Sequence, residues 1–205
     1  MKLYDVTSAD YIKCKFIDYL SERPILCIGN EIMYGINKMV ADLVFLMEGK
    51  TYAVEIKAQN DNLIKIQDQL SNYRLVFDYV IVVTTENHIK QLMSIVDDSI
   101  AVFVIKKDNS ITLIQRGRIQ KLVDKQSILA TLSAQFISFK FGCKLSEVDN
   151  FRCVTIRRSK DFIKKLLFQF FEGRLLKQYN VFLNEKGAQT HIEDLGALSH
   201  YNYIE

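Results

Sequence analysis

The period of the apolar positions changes several times along the chain, and each change marks an element. After Ser8, the residues Ile12, Phe16 and Leu20 recur every four positions. That spacing places them on one face of a helix with Ser8 as its N-cap. Arg23-Pro24 ends the helix, because proline disfavours helical geometry in the residue before it. Residues 25–28 are a short apolar run, Gly29-Asn30 reads as a turn, and 31–38 fits helix or loop equally. Residues 39–47 and 51–58 are strands joined by a tight turn at 48–50, which predicts a β-hairpin. Asp61 or Asn62 caps the next helix, in which Leu63, Ile66, Leu70, Tyr73 and Phe77 step by three and four.

Residues 79–84 are almost wholly apolar and β-branched, as expected of a strand covered on both faces. A helix over about 87–97 follows, then a strand at 100–105, a turn at Asp108-Asn109 and a strand at 111–115. The order β-β-α-β-α-β, followed by the returning strand at 111–115, describes an α/β core with a mixed central sheet. From about Lys125 the pattern turns helical, over 127–141 and 160–178, with a looser stretch at 142–159. The expected organisation is therefore an α/β core over 1–124 and a helical C-terminal portion over 125–205.

Length and composition set bounds. With 205 residues, close to half of them apolar, the chain can bury a sizeable core. A net charge of +3 permits nucleic-acid binding without arguing for it. Cys14, Cys27, Cys143 and Cys153 show no CxxC spacing and read as reduced, mostly buried thiols of a cytoplasmic protein. The start, Met-Lys-Leu-Tyr-Asp, lacks the apolar core of a signal peptide, and no run reaches the roughly 20 apolar residues of a membrane span. The expectation is a soluble intracellular protein.

Charges inside two apolar strands point to chemistry. Asp42 interrupts Met-Val-Ala-Asp-Leu-Val-Phe, and Glu55 and Lys57 interrupt Tyr-Ala-Val-Glu-Ile-Lys-Ala. Burying an ionised carboxylate is costly unless it is paired or metal-bound. Residues i and i+2 of a strand share a face, so Glu55 and Lys57 stand side by side, and the hairpin brings Asp42 to them. Two carboxylates suit a hard cation such as Mg²⁺ or Mn²⁺, with the carbonyl of Ile56 as a further oxygen ligand. Lys57 would orient a water or stabilise charge on a phosphate. The competing reading is three charges alternating onto a solvated face. Glu31 lies eleven residues upstream of Asp42 and by itself reads as a solvated turn residue. Gln69 and Tyr73, four apart, share one face of the helix after the second strand.

Taken together, Glu31, Asp42, Glu55-Ile56-Lys57 and the Gln69 to Tyr73 element resemble the PD-(D/E)XK nuclease superfamily of restriction-endonuclease-like fold. The last element is similar to the QxxxY motif of its RecB-like branch. The resemblance covers about residues 28–85, and Ala41 stands where the name-giving proline would be. It implies an α-β-β-β-α-β core and a Mg²⁺- or Mn²⁺-dependent deoxyribonuclease. It implies metal binding by Asp42 and Glu55 with Glu31 contributing from the first helix, and catalysis by Lys57. Gln69 and Tyr73 would contact DNA or orient the site. Some small bacterial proteins with this arrangement are linked to mobile elements or phage defence.

Arg157, Arg158, Lys160, Lys164 and Lys165 form the densest basic stretch and read equally as a phosphate-binding patch or a solvated helix face. His88, His191 and His200 share no metal-ligand spacing, and no phosphate-cradling glycine loop indicates a nucleotide cofactor. The alternatives are a catalytically silent protein of the same fold that binds nucleic acid or a partner protein, and a structural subunit of a larger complex. Whether the chain forms a homodimer or joins a larger assembly stays open at this level.

Overall fold

In a computed structural model the chain is described over residues 8–199; His200 and the N-terminal pentapeptide considered above lie outside that range. Helix α1 (Ala9–Ser21) starts at Ser8, whose hydroxyl accepts the Tyr11 N–H at 3.3 Å. Three strands follow: β1 (Ile25–Tyr34), β2 (Met39–Met47) and β3 (Lys50–Lys57). Next come α2 (Ile66–Val76), β4 (Tyr79–Thr85), α3 (Ile89–Met93), β5 (Ile100–Ile105) and β6 (Ile111–Gln115). The helical C-terminal part comprises α4 (Lys125–Thr131), α5 (Ala134–Phe141), α6 (Val148–Thr155), α7 (Lys160–Glu185) and α8 (Leu195–Leu198).

The six strands form one mixed sheet in the order β1-β2-β3-β4-β5-β6. The β1–β2, β2–β3 and β5–β6 pairs are antiparallel, and β3–β4 and β4–β5 are parallel. Glu48 and Gly49 both take positive φ (51° and 72°), the geometry a two-residue hairpin needs to match strand twist. The fold is α/β, with a mixed sheet flanked by helices and a helical C-terminal part, as expected.

Several local expectations are corrected. Gly29-Asn30 is no turn: β1 runs straight through it, and 31–34 is strand. A Cβ at Gly29 would lie 2.7 Å from Leu175 Cδ2 on α7, so the glycine permits a helix to approach the strand closely. The helix expected over 127–141 is two, broken at Leu132-Ser133, and the looser stretch contains α6. Asp61 caps no helix: it accepts the Ala58 N–H at 2.8 Å just after β3, and α2 begins later, at Ile66.

Cys27, Ile28, Gly29 and Asn30 are consecutive and all buried, which requires cover on both faces of β1. Helix α1 packs on β3 and β4, and its Phe16 and Tyr19 meet Phe103 of β5 at 5.3 and 5.5 Å. Helix α7 lies along β1. An aromatic chain joins the layers: Tyr73 of α2 stacks on Tyr34 of β1 at 5.2 Å, Tyr34 meets Phe77 at 5.1 Å, and Phe77 stacks on Phe171 of α7 at 5.9 Å. Sheet and C-terminal helices thus share one buried core. All four cysteines are free, and only Cys153 is exposed. Among the described residues no helix is long and apolar enough to cross a membrane.

Candidate metal centre

The ladder between β2 and β3 stops at Leu43↔Val54. Continuing that register would set Asp42 opposite Glu55 and Ala41 opposite Ile56. Instead the Asp42 carboxylate intervenes: its Oδ2 accepts the Ile56 N–H at 2.7 Å. One aspartate therefore caps the end of the hairpin ladder and stands beside the C-terminal end of β3. Beyond β3, the Thr84 hydroxyl of β4 donates to the Lys57 carbonyl at 3.0 Å and fixes that strand end.

Glu55 is buried with three donors on it. Lys57 Nζ lies 2.8 Å from Oε1, Gln69 Nε2 donates to Oε1 at 2.6 Å, and Tyr73 OH donates to Oε2 at 2.6 Å. Lys57 Nζ also donates to Gln69 Oε1 at 3.0 Å, closing a ring of three side chains. The four-residue spacing of Gln69 and Tyr73 puts both on the face of α2 that meets β3. A carboxylate has about four acceptor positions, so three donors leave one on Oε2. Burial, then the Glu55 charge beside it, pushes the Tyr73 phenol well above its usual range, so it acts as a hydrogen-bond donor.

Asp42 is in a different state. Its side chain keeps 31% of its surface exposed at the mouth of the cleft. Lost hydration and then the Glu55 charge raise its pKa from 3.8 to about 6, against the pull of the Ile56 N–H, Lys13 and Lys57. Two carboxylates held this close favour a shared positive charge.

Asp42, Glu55, Ile56, Lys57 and Gln69 line one open cleft of about 370 Å³, together with Ala9, Asp61, Asn62 and Lys65. Tyr73 lies behind Glu55, in the core. Glu31 is on strand β1, not on the first helix, and it lines a neighbouring depression. Its φ of +54° is unusual for a non-glycine residue within a strand. Glu31 and Asp42 are joined through Lys13 of α1, whose Nζ is 3.4 Å from Glu31 Oε1 and 4.0 Å from Asp42 Oδ1.

Sequence reasoning missed Lys13. It is a lysine with a side chain only 5% exposed, on the apolar stripe that Ala9, Phe16 and Leu20 define. A charge on an apolar stripe was the available signal. The basic stretch is only partly free, against expectation. Lys164 is no free phosphate ligand: its Nζ lies 2.7 Å from Asp78 Oδ1, where Asp78 Oδ2 also takes the Thr51 N–H at 3.1 Å. That pair sits at the Thr51 end of β3, about 20 Å of strand from Lys57. Arg157, Arg158, Lys160 and Lys165 are exposed. His88 bonds the Ala58 carbonyl at 2.9 Å, and His191 is exposed.

Among the described residues no three His, Cys, Asp or Glu side chains converge as a ready metal cluster. A cation here would be held by the Asp42–Glu55 pair and completed by main-chain and water oxygens. Magnesium commonly binds in that way, through one or two carboxylates and several waters, so the donor set fits it.

Among curated proteins none matches this chain. Among solved structures, a protein of unknown function from Silicibacter pomeroyi is similar over 73% of this chain and 92% of that one, at 10% identity and a TM-score of 0.45. The family model described as Bacteriophage P4 protein cII matches residues 4–199, nearly the whole sequence. The chain belongs to the Bacteriophage P4 protein cII family.

Proposed function

We propose that the cleft is the active site of a metal-dependent deoxyribonuclease. One observation carries this reading: Asp42, Glu55 and Lys57 meet at an open cleft, with Glu55 held in one orientation by Lys57, Gln69 and Tyr73. Asp42 and Glu55, with the Ile56 carbonyl, would hold Mg²⁺ or Mn²⁺. Such an ion, when bound, lowers the pKa of a coordinated water and polarises a phosphodiester. The chain's own residues do the positioning. Gln69 and Tyr73 fix the Glu55 carboxylate. The Asp42 side chain is tied to β3 through the Ile56 N–H. Among the described residues Lys57 commits two of its three N–H donors, to Glu55 and Gln69, which leaves the third for a phosphate oxygen. The resemblance to PD-(D/E)XK nucleases supports the same reading.

The test is cleavage of linear, circular and single-stranded DNA by the purified protein with Mg²⁺ or Mn²⁺. Glu55→Ala and Lys57→Ala should each abolish cleavage. Full activity in both variants sinks the assignment.

A second reading has its own observation. Three donors occupy most of the acceptor capacity of Glu55, which suits a structural carboxylate in a catalytically silent nucleic-acid-binding protein. Calorimetric titration separates the two: no divalent-cation binding at millimolar concentration favours the silent protein.

A further inference from the structure

We infer that a groove beside the cleft binds a single strand of nucleic acid and leads it towards Asp42. Two adjoining depressions, of about 280 and 750 Å³, share Ser133, Phe170 and Arg174 in their walls. The first also contains Glu31, Lys38 and Arg152; the second contains Phe139 and Lys140. Through Glu31 and Lys13 the groove borders the Asp42 carboxylate.

Arg174 is the central observation. Among the described residues its guanidinium has no carboxylate partner, and its Nε is buried without a hydrogen bond. Its guanidinium lies over the ring of Phe170, 5.8 Å away. Burial pulls its pKa down, a sign that the charge is poorly solvated. A half-buried cation with no counter-ion is costly, and an anion in the groove would relieve that cost. Arg152 differs, being anchored to the Leu129 and Leu132 carbonyls and to Asp149, so it supplies charge rather than free donors. Lys38 and Lys140 extend the positive lining, and Lys13 offsets the Glu31 carboxylate at the near end.

Phe139 narrows the ligand class. It is 90% exposed, on the solvent side of α5 and in the wall of the second depression. A bare aromatic face beside a line of cations matches a chain that alternates phosphates with unpaired bases. A duplex keeps its base faces stacked inside and offers Phe139 nothing to cover it. The strand's destination rests on the reading of the cleft as a nuclease site; its binding does not.

The experiment is fluorescence anisotropy of the full chain in EDTA, so that nothing is cut. The probes are a labelled oligothymidine of about 12 nucleotides and the same strand in duplex form. The single strand should bind more tightly than the duplex. Arg174→Gln and Phe139→Ala should each weaken binding about tenfold, and Phe139→Tyr should retain it. Arg174→Gln should also reduce the salt slope by about 1. Phe139→Ala changes an exposed position, so its effect is not one of folding. Three results overturn the inference: no strand binding, equal duplex binding, or loss only in an Arg157→Gln/Arg158→Gln variant. Strand binding as expected with no cleavage in Mg²⁺ or Mn²⁺ leaves the groove standing and removes the nuclease reading.

Discussion

Asp42→Asn should make this protein more stable at neutral pH while abolishing the activity proposed for the cleft. The wild-type carboxylate titrates near pH 6 in the folded chain against an ordinary 3.8. The folded state therefore holds the Asp42 proton more tightly than the unfolded state does. Stability linked to that proton is fully present below about pH 4 and is lost as pH rises through 6. At about 1.4 kcal/mol per pK unit, the ionised group costs at most about 3 kcal/mol. Solvent reaches 31% of the side chain, and screening reduces the figure to the order of 1–2 kcal/mol. Asparagine keeps an oxygen for the Ile56 N–H and removes the repulsion with Glu55. The assay is urea or thermal unfolding of both proteins from pH 4 to pH 8. The variant should gain about 1–2 kcal/mol at pH 7.5, or roughly 2–8 °C in Tm for a chain of this length, and nothing at pH 4. Millimolar Mn²⁺ should then stabilise the wild type and leave the variant unchanged. A variant less stable than wild type at pH 7.5, or a difference independent of pH, refutes the reasoning.

Four other outcomes follow from particular contacts. Tyr73→Phe removes a 2.6 Å hydrogen bond to the buried Glu55 carboxylate and should cost about 1.5–3 kcal/mol in urea unfolding. Lys164→Met strands the buried Asp78 carboxylate and should cost about 3–5 kcal/mol, with oligonucleotide affinity unchanged in the folded fraction. Gly29→Ala drives a methyl into Leu175 and Ile32 and should lower stability by about 1–3 kcal/mol, seen as a lower Tm. A colorimetric thiol reagent should titrate Cys153 promptly in the native protein. Cys14 and Cys27, pushed to about 12 by burial, and the buried Cys143 should react only after denaturation.

What the sequence showed depended on whether the deciding forces were local. Strands β2, β5 and β6 begin and end where their apolar runs do, because the flanking turns carry their own chemistry. Asp42, Glu55 and Lys57 were legible because charge inside an apolar strand is conspicuous. Gln69 and Tyr73 were legible because helical spacing puts them on one face. Strand β1 was not: Gly29-Asn30 is a strong turn signal, and what overrides it is distant. Leu175 fills the space the glycine leaves, and Ser199 accepts a 2.8 Å hydrogen bond from Asn30 Nδ2. Lys13 and Lys164 were hidden for a related reason. A lysine reads as solvated until the fold supplies an acidic partner, and the partners of both come from distant elements. The break before Ser133 was masked by apolar residues continuing on either side.

The aromatic chain from Tyr73 through Tyr34 and Phe77 to Phe171 also bears on how this chain can be cut or recombined. The hydroxyl that fixes Glu55 belongs to a ring whose stacking partners end on α7. A fragment ending near residue 124 would expose Phe77 and uncover β1, loosening the Glu55 carboxylate without altering any residue of the cleft. Exchange of the C-terminal helices between relatives would carry the same penalty unless the rings facing Phe171 and the glycine facing Leu175 travelled with them. The inheritable unit is the pair of layers, and a shuffling joint placed between them would pass the motif on without its support.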